Sequence, residues 1–151
     1  MVKVVINDSK GLVQSAGSNV VIENSLTVGA EQRLRGRQTQ KFAHADADSQ
    51  NHTLTVAQIK DGLLVHTSTA GAGTLTTPTA AAIIAGDSGV GALEQNGDSI
   101  IMYYMNDGSQ TVTVTAGSNV TVLGDADVAT NTGATLIFRR HSSTTVRCFV
   151  V

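Results

Sequence analysis

The chain has no tryptophan, two tyrosines and three phenylalanines in 151 residues. An interior built from it must rely on Val, Ile, Leu, Ala and Thr. Such a core fills less volume per residue, which points to stability shared with neighbouring subunits. A single cysteine, Cys148, excludes an intrachain disulfide, so nothing implies an oxidising compartment. It lies in the apolar run VRCFVV and reads as a small core residue. One proline against fifteen glycines fits many tight turns and not a disordered tail. No apolar run approaches the ~20 residues of a membrane helix, and MVKVVINDSK lacks the apolar core of a signal peptide. Ten basic against twelve acidic residues leave a net charge of −2, which argues against general nucleic-acid binding.

The constellations that carry catalysis are missing as well. TSTAGAG at 67–73 is not followed by Lys-Ser or Lys-Thr, so it is no phosphate-cradling loop. Asp87, Glu94 and Asp98 read as solvated loop carboxylates. His44, Asp46 and Asp48 are spaced by two, with His52 beyond, and His and Asp on one face of a strand could bind a metal. They lack the glycine of a calcium loop and cysteine partners for zinc. Residues 42–52 therefore read as a polar hinge. No enzyme activity and no cofactor are expected, and His66 reads as a strand-end or interface residue.

Strand signals are abundant. In 111–115, TVTVT, period two places valines on one face and threonines on the other. Asp107-Gly108 before it is a hairpin signal, and Gly117 repeats it before Asn119–Leu123. Ile100–Met105, apolar at every position, is expected to be the most buried strand. Together Ser99–Gly124 reads as a three-stranded meander. The expected class is all-β: an antiparallel sandwich or barrel-like meander with one or two short helical turns. One turn is expected at Ala57–Gly62. A second covers Thr79–Ala85, with Thr77 as N-cap and Pro78 as its first residue. A closing hairpin spans 134–151. The turn Ala16–Val20 recurs as Ala116–Val120 and reads as one turn-then-strand device used twice.

The first fifty residues differ in texture. Val2–Ile6, Val20–Ile22 and Leu26–Val28 are short, weakly periodic strand candidates. Arg33, Arg35 and Arg37, with Lys41 behind them, alternate as on one face of a strand. A solvated edge strand protected by charge is one reading. A grip on acidic partner surfaces through bidentate Arg–carboxylate pairs is a second, and a nucleic-acid contact a third. The division expected is an N-terminal arm over 1–50 and a β domain over 51–151. Val4, Ile6, Arg33, Arg35, Arg37 and Lys41 are the candidate partner contacts.

The stretch from Thr53 to Val151, about two thirds of the chain, carries in order GTLTTPTAAAIIAG at 73–86, SIIMYYMNDGSQ, TVTVTAGSNVTVLG and ATLIFRRHSSTTVRCFVV. In them the chain resembles a β domain of the capsid decoration, cement and head-fibre proteins of tailed bacteriophages and related large DNA viruses. That resemblance implies a homotrimer that binds the major capsid protein on the virion surface and stabilises the shell, after assembly in the host cytoplasm. The charge balance and the lack of long apolar runs add the expectation of no nucleic-acid or membrane partner. The alternative is a receptor- or carbohydrate-binding module of a head fibre or tail, which would need exposed aromatics. Phe42, Tyr103, Tyr104, Phe138 and Phe149 are the only candidates, and most of them read as buried.

Overall fold

The computed structural model describes residues 42–67, 71–86 and 93–151. They lie in a compact unit running from Gln40 to Val151. Its elements are β1 (Ala43–Ala47), β2 (Asn51–Thr53), α1 (Val56–Asp61), β3 (Gly62–His66), β4 (Gly73–Thr76) and α2 (Ala80–Ala85). Then follow β5 (Ser99–Asn106), β6 (Val112–Thr115), β7 (Val120–Gly124), β8 (Asp127–Val128), β9 (Thr132–Arg140) and β10 (Val146–Val150). A six-stranded sheet has the order β1-β3-β5-β9-β10-β7, and a four-stranded sheet the order β2-β4-β6-β8.

The chain alternates between these sheets from β1 to β8. Each strand of the large sheet up to β7 is followed along the chain by a strand of the small one. β1, β3 and β5 therefore run parallel, as do β2, β4 and β6. Antiparallel pairing enters with β5–β9, β9–β10 and β6–β8. The expected all-β antiparallel architecture is thus corrected: the fold is mixed α/β, two sheets with parallel and antiparallel pairs plus two short helices. Hydrophobic alternation reports which face of a strand is buried and is silent on the direction of its neighbour.

The meander expected over Ser99–Gly124 is corrected too. Its three strands exist, but β5 lies inside the large sheet, β6 in the small sheet and β7 on the far edge of the large one. Asp107-Gly108 turns a corner between sheets and makes no hairpin. The reason is Asn106, which is fully buried. Its Nδ2 donates to the carbonyls of Gln110 (2.8 Å), Val128 (2.9 Å) and Ala129 (3.2 Å), and its Oδ1 accepts from Gly108 N (3.1 Å). One amide thus ties the end of β5 to the corner and to β8.

The helices form for local reasons. Thr55 caps α1: its side chain accepts from Gln58 N, and Gln58 Oε1 accepts from Thr55 N, a reciprocal capping box. Gly62, at φ 86°, ends α1 in the left-handed region that glycine tolerates. In α2 the N-cap is Thr79, whose hydroxyl accepts from Ala82 N. The expected cap lay two residues earlier. Thr77 instead accepts from Gly117 N (2.8 Å) and pins the 116–120 turn to the start of α2. Its earlier echo, 16–20, lies outside the described residues.

The two sheets share one core. Leu64, Met102, Tyr104, Leu136, Phe138 and Cys148 project from the large sheet and Leu75, Val112, Val114 and Val128 from the small one. Ile59 of α1 and Ile83 of α2 join them. Burying each large apolar side chain contributes about 1.5–3 kcal/mol. Cys148 is completely buried, and burial pushes its thiol up to about 12.

A candidate protein-contact face

The inner residues of the large sheet are the even positions of β5, β9 and β10, so the odd positions form its outer face. Register arranges that face in four rows. Ser99, Arg139, Arg147 and Thr121 make the first, and Ile101, Ile137, Phe149 and Leu123 the second. Tyr103 stands between Leu63 and Thr135 in the third, with His44 beyond Leu63. Met105, Val65 and Asp46 make the fourth, with Gly133 on the other side of Met105.

The middle of this face is apolar and open. Ile101 is 51 %, Tyr103 46 % and Met105 40 % exposed. This corrects the expectation for Ile100–Met105. The strand is central in its sheet, yet only Met102 and Tyr104 and the adjoining Asn106 are buried, and the other face has no cover among the described residues. Phe42 extends the patch. Its ring packs edge-on to Tyr103, with centroids 5.4 Å apart, and lies over the bare Cα of Gly62. Phe149 is half-buried on the same face. Three of the five aromatic residues therefore serve this surface, where sequence reading placed most of them inside. Beside them Leu63, Tyr103, Met105, Gly133, Thr135 and Val151 line a shallow groove of about 300 Å³.

The outer face of the small sheet has another character. Asn51, Thr74, Thr113 and Asp127 form one row and Thr53, Thr76 and Thr115 another. These groups satisfy one another. Thr76 and Thr115 share a 2.9 Å hydrogen bond, Thr74 Oγ1 donates to Asn51 Oδ1 (3.1 Å), and Thr113 Oγ1 to Asp127 Oδ1 (2.6 Å). Asn51, Thr74, Thr76, Thr113, Thr115 and Asp127 are thus hydrogen-bonded to one another within the sheet.

The histidines and acids of 42–52 separate. The hinge expected there is corrected to two strands, β1 and β2. His44 and Asp46 lie on the outer face, with Nε2 3.0 Å from Oδ1, while Asp48 accepts from Thr67 Oγ1. His52 Nε2 meets Gln58 Oε1 at 3.1 Å. His66 is fully buried. The carbonyl of Ser49, 2.5 Å from Nε2, only accepts, so Nε2 carries a proton; Tyr104 Oη lies 2.9 Å from Nδ1. His66 is thus a satisfied core residue. No group of three or more His, Cys, Asp or Glu suited to a metal occurs among the described residues.

Arg140 is structural: Nη1 donates to the carbonyls of Leu93 (2.6 Å) and Glu94 (2.5 Å), and Nε to that of Ser142. Arg139 and Arg147 stay on the outer face, Arg147 donating to His141 Nε2 (3.2 Å). Val4, Ile6, Arg33, Arg35, Arg37 and Lys41 lie outside the described residues. Among the described residues no helix is long and apolar enough to cross a membrane. Comparison with family models, with curated proteins and with solved structures returned no match.

Proposed function

We propose that the protein is a non-enzymatic structural component of a virus particle that binds the outer surface of a capsid shell and stabilises it. The observation that carries this reading is the open apolar face of the six-stranded sheet. Ile101, Tyr103 and Met105 stand on a central strand, where isolated solubility favours polar residues. A protein neighbour explains them, and aromatic and methionine side chains are the types enriched where proteins meet. The fold beneath is tied by a continuous core and by the Asn106 and Thr77 links, and rigid surfaces are what a shell-clamping protein needs. The order of motifs from residue 73 onward supports the capsid setting by resemblance, with the major capsid protein as partner and three copies as the implied assembly. Several weak contacts per assembly add up through avidity. Binding only the mature lattice stabilises that lattice by linkage.

The test is direct. Shells carrying the protein are expected to survive heat and low salt that open shells stripped of it. Equal survival of both would overturn the reading. One observation favours the second reading, a carbohydrate- or receptor-binding module. Phe42 and Tyr103 are exposed side by side and offer stacking surface. A glycan-array signal lost in Tyr103→Ala would favour it over shell binding.

A further inference from the structure

The exposed face has a charge pattern that says which neighbour fits it. Asp46 stands on the edge strand β1, in the row of Met105, exposed and with its carboxylate 3.0 Å from His44 Nε2 of the neighbouring row. Arg139 and Arg147 stand on β9 and β10, in the row of Ser99. Three two-residue steps separate those rows, about 20 Å along the strands, and three to four strands separate the groups, about 14–19 Å across. Acid and base thus occupy opposite corners of an apolar field. The midpoint between them falls on β5, between Ile101 and Tyr103, the centre of the exposed apolar strip.

We infer that the occupant of this face is a second copy of the chain, seated face to face about a two-fold axis that passes between Ile101 and Tyr103. The inference rests on the reading of this face as a protein-contact surface and assigns the apolar strip to a second copy, so contact with a shell falls to the remaining surface of the pair. An in-plane two-fold perpendicular to the acid–base diagonal carries each corner onto the opposite one. Asp46 of one copy then meets Arg139 and Arg147 of the other, twice over, as an isologous interface requires. The side chains of Ile101 and Tyr103 meet those of their counterparts across the axis. The strands of the two faces cross at nearly a right angle, one of the two favoured ways for sheets to stack.

Area agrees. Phe42, Ile101, Tyr103, Met105, Leu123 and Val151 are between 37 and 79 % exposed. Side chains of this size together leave on the order of 500 Å² of apolar surface open. That is the upper end for a monomer's largest patch and most of the roughly 800 Å² per partner of a standard interface. The half-buried Leu63, Val65, Ile137 and Phe149 fill the gaps between them. The resemblance to decoration proteins implies three copies, whereas this residue pattern closes with two.

Sedimentation equilibrium of the full chain, over a wide concentration range, tests the pairing. A dimer is expected. Tyr103→Glu should give monomers whose circular dichroism matches the parent. Asp46→Arg, at an exposed position, should weaken the dimer by about tenfold or more, because it sets like charges against each other. Adding Arg139→Asp and Arg147→Asp to Asp46→Arg should restore it. A monomeric or trimeric parent, or a triple variant no tighter than Asp46→Arg, overturns the two-fold pairing. If such a monomer or trimer still protects shells, the pairing alone has failed. A dimer that protects no shell upholds the pairing and removes the proposed function.

Discussion

Replacing Asn106 probes the corner that sends the chain from one sheet to the other. Its side-chain amide supplies donors to three backbone carbonyls and an acceptor to Gly108 N, from a fully buried position. Asn106→Asp keeps the shape and replaces both donors by an oxygen. The carbonyls of Gln110, Val128 and Ala129 then lose their partner, and a carboxylate faces them. Leaving one buried polar group unsatisfied costs about 1–3 kcal/mol, so two lost donors cost about 4 kcal/mol at neutral pH. In a unit of this size that lowers Tm by roughly 10–20 °C. The pH dependence has a definite sign. Acceptors around the new carboxyl favour its neutral form in the folded state, so its folded pKa rises above its unfolded one. The folded protein then holds a proton that the unfolded chain has released, and the deficit grows as pH rises above about 4. Urea titrations of parent and variant at pH 4 and pH 7 measure this. A variant within about 1 kcal/mol of the parent at pH 7, or a deficit that shrinks as pH rises, would refute the reasoning.

Three further outcomes are expected. A Cβ at Gly117 would lie 2.4 Å from the Thr77 carbonyl oxygen and 2.5 Å from that of Pro78, so Gly117→Ala must move backbone and should cost roughly 2–4 kcal/mol by urea unfolding. Thr55→Ala removes the capping box of α1 and should cost about 1 kcal/mol, with restoration by Thr55→Ser. Burial makes Cys148 and Tyr104 weaker acids, so the folded state keeps protons the unfolded chain gives up. Stability should therefore fall above pH 9, by about 1.4 kcal/mol per pH unit for each group in its window, and native Cys148 should resist thiol reagents until the protein unfolds.

Much of the local structure was legible in the residues. TVTVT, the Val146–Val150 run and the glycine after α1 each say strand or stop by steric means that act within a few positions. Cys148 in its apolar strand was legible as core for the same reason. What escaped was everything that depends on a distant partner. Asp107-Gly108 carries the chemistry of a hairpin, and only the reach of Asn106 to Val128 and Ala129 turns it into a corner. Thr77 and Thr79 are equally good caps until Gly117 claims the first. The contact face was hidden because SIIMYYM is apolar on both sides, which reads as a doubly covered strand. Such a run demands cover on both faces without saying that one cover comes from the same chain. The Arg139–Arg147 row became visible only through register.

Oxidative footprinting of Tyr103 and Met105 in the free and assembled protein probes the contact face side chain by side chain. Both are expected to be modified readily in dilute protein and to become protected, together with Phe42, on assembly. If Tyr103 and Met105 stay equally reactive in every assembled state, the outer face of the six-stranded sheet is not where this protein meets its neighbours.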